Sequence, residues 1–433
     1  TANKNVAVGD AALQLNTTGN QNVTLGFRAS QYNTVGSNQV VIGNEAGRYA
    51  TGSLNVFIGA NAGKGGTTSA PYSSGTGNTA IGYGAFDSFT TGENNTAVGQ
   101  NALSANTTAG YNTAVGDHAG VGITTGGSNV AIGRATMYTT TTGQNNTAVG
   151  KDAGQKILGS DNTHIGQEAG EYATGSYNTF VGSEAGQGGT TSAPFSSGTE
   201  NTAVGYQALT NFTTGANNTA VGLYALQDVT TATSNTAVGL NAGMNITTGG
   251  YNTVVGRDAF DAATDVANNT AIGYKAGGAH TTGDGNVWIG KEAGESGTYH
   301  VSCVGVGAGA LGRLSGSYNT AIGTEALSGN QGGGATNSNR NTAVGYYALR
   351  QVGEGGNQEN TAIGYQAGDV ATTGGNNVFV GAHAGGTVTT GASLVMLGHG
   401  ADPSGNTTSG EIVIGYNATG IGSNYAVIGS GDI

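Results

Sequence analysis

Proline is almost missing from this sequence, with three in 433 residues, while glycine reaches 83. Disordered low-complexity chains carry both in quantity and lack regularly placed apolar residues. Here the apolar residues fall at fixed intervals, so the chain reads as ordered. A single cysteine, Cys303, excludes an intrachain disulfide framework. Charged residues are few and sum to −12. That removes the basic stripe nucleic acid requires and the attraction that draws proteins to anionic bilayers. No run approaches the roughly 18–20 apolar residues of a membrane span, and no signal peptide opens the chain. Long uncharged surfaces of Thr, Asn, Ser and Gly suit an extracellular particle.

What the sequence does contain is a repeat. Asn95-Thr96-Ala97-Val98-Gly99 returns as Asn112 to Gly116, Asn129 to Gly133 and Asn146 to Gly150. The closing glycines Gly82, Gly99, Gly116, Gly133 and Gly150 stand 17 residues apart, and Gly166 and Gly182 follow at steps of 16. A period of this size, held along most of the chain, signals stacked windings rather than a globular domain. The pattern predicts an all-β parallel β-solenoid of about 25 coils, each with a short strand closed by glycine. Three regions follow: regular repeats over 1–294, irregular coils with longer loops over 295–360, and final coils with a cap or junction over 361–433. The first coil, at Asn5 to Gly9, starts almost at the beginning of the chain, as in a processed piece.

Strand side chains alternate faces. The second position is Thr or Val and the fourth Val, Ile or Leu, as in Val56 and Ile58 or Thr179 and Val181. These β-branched columns are expected to fill the core, with the third position facing out. Third-position Phe57, Phe180, Trp288 and Phe379 then become candidate interchain contacts. Ala recurs three residues after the glycine, at Ala102, Ala119 and Ala153, marking a tight inward corner. The leading Asn recurs so strictly that its amides are expected to form a hydrogen-bonded column. Thr-Thr-Gly segments read as turns.

Two coils are longer. Gly65 to Tyr72 and Gly188 to Phe195 are near copies 123 residues apart, so a block of about seven coils looks duplicated. Insertions in solenoids become loops on one face. These loops, with the glycine-rich loop around Gly332, make Tyr72, Phe195 and Gly332 the candidate receptor contacts.

Chemistry is sparse. Glycine-rich pieces lack the Gly-Lys-Ser/Thr of a phosphate loop. No cofactor-binding or catalytic residue is assigned. The six histidines show no metal-ligand spacing within one chain, although three copies of His164 or His300 meeting on a trimer axis would make an ion site. Asp258, Asp261 and Asp265, and Glu292 with Glu295, are the nearest acid clusters for glycan hydrolysis, and they sit in polar segments where solvated charge is expected. Cys303 is read as an outward third-position residue of a coil ending at Gly305, a packed thiol rather than a nucleophile.

The Asn-Thr-Ala-Val-Gly unit with Ala three residues later resembles the head repeat of YadA-like trimeric autotransporter adhesins. Ser128-Asn129-Val130-Ala131-Ile132-Gly133 carries the likeness best. The Thr-Thr-Gly-x-Asn-Asn-Thr-Ala-Val-Gly form at Thr90 to Gly99 and Thr213 to Gly222 is also similar to repetitive bacteriophage tail fibres. The resemblance implies a left-handed β-roll in a homotrimer. The 17-residue period is longer than that of adhesin heads, and no coiled-coil stalk or barrel anchor follows. The expected function is therefore a tail-fibre shaft or receptor-binding segment on a virion. It would reach a host surface glycan or outer-membrane protein and join other tail components. A cell-surface adhesin head is the alternative, and an ice-binding solenoid, with its ladders of Thr, is a more distant one.

Overall fold

A computed structural model describes residues 2–66, 72–189, 195–329, 336–353 and 359–429. They form about 24 windings of parallel β-solenoid and no helix. The chain divides into two compact units, Thr1–Asn217 and Asn218–Ile433.

In the first unit, three-residue strands run from Val6–Val8 to Thr202–Val204. Successive strands pair in parallel and in register, so that Thr96, Ala97 and Val98 lie beside Thr113, Ala114 and Val115. Like therefore stacks on like. The second unit repeats this from Thr219–Val221 to Ala426–Ile428. Thr253 there lies beside Thr270 and Val255 beside Ile272. Within residues 295–360 a second, smaller parallel sheet joins His300–Val301, Leu314–Ser317 and Thr336–Asn337.

The inward face is the reverse of the one expected. Ala97, Ala114, Ala131 and Ala148, all third-position residues, are fully buried. The second and fourth positions, such as Thr113 and Val115, are half-buried to exposed and point outward. The reason is width. Backbone closes around each winding at close quarters, so the interior accepts a strand Ala, a corner Ala and one or two large side chains. Ala97 and Ala102 share their coil with Leu103, Ala114 and Ala119 with Ile123, and Ala148 and Ala153 with Ile157. Two β-branched columns facing each other would overfill it.

The third-position aromatics follow the same logic. Phe57, Phe180, Trp288 and Phe379 are completely enclosed by their own chain. They are core residues, not interchain contacts. Each sits over a glycine that makes room. A Cβ on Gly186 would lie 2.5 Å from the Phe180 ring, and one on Gly294 would lie 2.7 Å from Trp288. Gly305 in the next coil leaves space for the same Trp288.

The Asn column forms as expected. The Asn95 carboxamide oxygen accepts the Asn112 N–H at 2.9 Å, and Asn112 does the same for Asn129. Asn129 Nδ2 also donates to the Gly143 carbonyl at 2.9 Å. Each amide thus satisfies corner backbone groups that would otherwise be buried unpaired. Cys303 belongs to this column. It is not a third-position residue, because the closing glycine of its coil is Gly307, 17 residues after Gly290. Its N–H donates to Asn286 Oδ1 at 2.9 Å, and its thiol faces the Gly316 carbonyl at 3.3 Å.

The closing glycines are a double requirement. Gly116 has φ +138°, and a Cβ there would stand 2.5 Å from the Gly133 carbonyl oxygen. Neither the torsion nor the space admits another residue.

Candidate interaction surfaces

The strand face is the largest candidate surface. Its second-position column is mostly Thr with Val, and its fourth-position column is Val, Ile and Leu. In the first unit Ile132 and Ile165 are 38% and 39% exposed, and Val115 is 37%. In the second, Ile272, Ile289 and Ile322 are similar. Isolated exposed aliphatics are ordinary, but contiguous columns of them mark an interaction surface.

The two duplicated inserts each bring an aromatic ring onto a stack. Tyr72 is half-buried, 6.2 Å from Tyr49 and 5.1 Å from Tyr32, and Tyr32 stacks on Tyr49 at 5.1 Å. The Arg48 guanidinium lies 5.0 Å over the Tyr49 ring. Phe195 repeats the arrangement, stacking on Tyr172 at 6.2 Å with Lys156 at 5.8 Å from its ring. The side chains are therefore anchored rather than free, with residual exposure for a ligand. Gly332 lies outside the described residues.

Around the first stack, Glu45 collects three cations: Arg48 at 2.6 Å, Lys64 at 3.0 Å and Arg28 at 3.7 Å. Burial works against the Glu45 carboxylate, but the three cations outweigh it and hold its pKa below the ordinary value. Around the second stack, Asp152 pairs with Lys151 at 3.1 Å and Arg134 at 3.6 Å. Gln187 bridges Glu168 and Glu171 there. The Tyr172 hydroxyl is pushed up to about 12, chiefly by its hydrogen bond to Glu171.

The histidines are placed by burial. His164 is a third-position core residue, stacked on Phe180 at 4.9 Å, with no hydrogen-bond partner on either ring nitrogen. Burial drives its pKa down to about 3. His300 is also pushed down to about 3, mainly by burial, although its Nε2 meets the Leu314 carbonyl at 2.6 Å. Both rings lie inside their own chain, so neither reaches a shared axis. Among the described residues no group of three or more His, Cys, Asp or Glu is placed to hold a metal ion.

The acid clusters divide. Asp261 and Glu295 line one open cleft of about 380 Å³ with Lys275 and Ser296, and Lys275 pairs with Glu295 at 3.3 Å. Glu292 lines the neighbouring cleft with Glu295, Arg313 and Glu325. Asp265 lines neither. Burial, then the charge of Asp258, raises the Asp261 pKa.

In the second unit an aromatic column runs along one corner. Tyr346 and Tyr365 stack at 5.4 Å, and His383, His399 and Tyr416 continue it. Sequence reading missed this column. Its signal was the aromatic residue one or two places after each closing glycine.

No family model matches the chain, and no curated protein is detectably similar to it.

Proposed function

We propose that this chain is a structural and adhesive fibre protein, a homotrimer of left-handed β-rolls forming a bacteriophage tail-fibre shaft or receptor-binding segment. The observation that supports it is the outward strand face. Its Val and Ile columns are half wet and in register with themselves, so identical chains can bury them against one another. Covering the exposed part of one Val or Ile per coil contributes about 1 kcal/mol, repeated at every coil. Sharing an apolar face in this way compensates for the thin interior, where Ala supplies most of the burial.

Reach and multiplicity then account for adhesion. Three chains present three copies of each loop, and weak contacts to a host glycan or outer-membrane protein combine through effective concentration. Tyr72 and Phe195 are the described residues best placed for such contact, and the loop at Gly332 is the third candidate.

Mass in solution tests it. Sedimentation at neutral pH and moderate salt should give about three times the 42.4 kDa of the chain. A stable monomer would overturn the trimer.

One observation favours a second reading. The outward second-position column is largely Thr, at the first residue of each three-residue strand, so Thr side chains form a ladder on the sheet rather than only in the turns. A monomer with thermal hysteresis in dilute solution would support ice binding over the fibre.

A further inference from the structure

The duplicated insert blocks in the first unit share backbone and aromatic stack but carry opposite charge. Corresponding positions are counted from the closing glycines. Arg28 stands two residues after Gly26, and Asp152 two after Gly150. Arg48 stands five after Gly43, and Glu171 five after Gly166. Asn61 corresponds to Glu184, and Lys64 to Gln187. Glu45 and Glu168 match, as do Tyr49 and Tyr172. Residues 27–66 hold three basic and one acidic side chain, net +2, whereas residues 151–189 hold two basic and five acidic, net −3.

The two patches lie in the same columns of one solenoid unit, seven coils apart, or roughly 34 Å at strand spacing. Arg28 and Lys64 keep 40% and 33% of their side chains exposed even while paired with Glu45. Asp87 lies close enough to Lys64 to feel its charge, and Asp10 lies in the coil before Arg28.

We propose that these blocks are a self-recognition device, through which two copies of the protein pair side by side and antiparallel. A twofold axis midway between the blocks sets each basic block against the other copy's acidic block. Both contacts then form together. Reversal of the coil order sets Arg28 toward Glu184 and Arg48 toward Glu171 of the second copy, and brings Lys64 to the edge of the acidic block; Glu45 then faces Glu168, a like-charge contact that the three cations around Glu45 offset. The arrangement is isologous and closed, so it makes pairs rather than open filaments. It uses corner columns and is independent of the apolar strand face, so it does not require the trimer. A parallel pairing in register would set like charge on like and is disfavoured. The chain's overall −12 opposes unspecific association, which leaves local complementarity as the driving term.

Sedimentation of the full chain at 20 mM and 300 mM NaCl tests this. The expected result is a species of doubled mass at low salt that reverts at high salt, where screening reaches only about 6 Å. Two charge-reversed proteins extend the test, Arg28→Glu with Lys64→Glu, and Glu171→Lys with Glu184→Lys. Each alone should lose the doubled species at 20 mM NaCl. An equimolar mixture should regain it, because both patches of one partner are then net acidic and both patches of the other net basic. An unchanged circular-dichroism spectrum and unchanged mass at 300 mM NaCl show that the variants fold. Absence of doubling at low salt in the parent protein overturns the proposal. So does doubling that survives either reversal, or a mixture that fails to recover it. A trimer that fails to form affects only the mass being doubled, so the two proposals fail separately.

Discussion

Phe180 and Gly186 share one space: the ring of the first fills the volume that a side chain on the second would occupy. In the next coil, Ala203 replaces the aromatic and Leu209 replaces the glycine, and both are fully buried. Gly186 and Leu209 have nearly the same φ, 52° and 54°. The coil therefore conserves volume while exchanging which position supplies it. Phe180→Ala should cost about 3–5 kcal/mol through the cavity it leaves. Gly186→Leu alone should fail through overlap with the ring. The two together should recover most of the loss, and a double-mutant cycle on chemical denaturation would read the coupling. Additive costs would refute shared volume.

His164 should make the protein acid-sensitive. Its folded pKa near 3 lies below its ordinary value of 6.5, so between those values the unfolded chain binds the proton and the folded chain does not. Stability therefore falls as pH drops through that window, by about 1.4 kcal/mol per unit once well below 6.5. His164→Phe places at this coil the residue that Phe57 and Phe180 supply elsewhere, and Gly170 already leaves the room. The variant should melt higher at pH 4.5 and differ less at pH 7.5. A wild-type minus variant difference that is flat with pH would contradict the burial argument.

Cys303→Asn should repair the amide column. The thiol occupies a place where neighbouring coils put Asn, and Asn319 N–H now reaches only the sulfur at 3.5 Å. Restoring the carboxamide should raise stability by about 1 kcal/mol. In the unaltered protein, burial raises the thiol pKa, so reaction with a thiol reagent at neutral pH should be slow until the protein unfolds. Rapid labelling of the native protein would contradict this placement.

Ile132→Asp and Ile165→Asp, on the outward fourth position, should leave the monomer fold intact and lower the assembled mass. Neither side chain contributes to its own coil's interior. Sedimentation combined with circular dichroism would separate loss of assembly from loss of fold. Retention of full mass by the double variant would move the interface elsewhere.

The period, the windings, the Asn column and the glycine requirement were legible because each is a constraint repeated at a fixed position. The choice of inner face was not. Alternation shows that two faces differ, but bulk alone pointed to Val and Ile as interior. The decisive clue lay six residues along, where Phe57 meets Gly63 and Ala97 meets Leu103. Only an inward third position needs that exchange. Cys303 was misplaced because Gly305, a core glycine beside Trp288, imitates a closing one. The clustering of Arg28, Arg48 and Lys64 on Glu45 was also hidden, because those residues come from three coils and meet only through stacking.

The in-register pairing of coil on coil carries a consequence for inheritance. Because each winding presents its neighbour with the same backbone edge and the same amide, whole windings are interchangeable parts. Loss or gain of one complete period in the gene would shorten or lengthen the protein without disturbing the joints on either side. Loss of a few residues from a strand and its closing glycine would break the joints on both sides, whereas the loop part of a coil already varies, with steps of 16 and 23 residues stacking in register. Recombination between the near-identical repeats can therefore tune length in fixed increments, and the copied seven-coil block bears the mark of such an event.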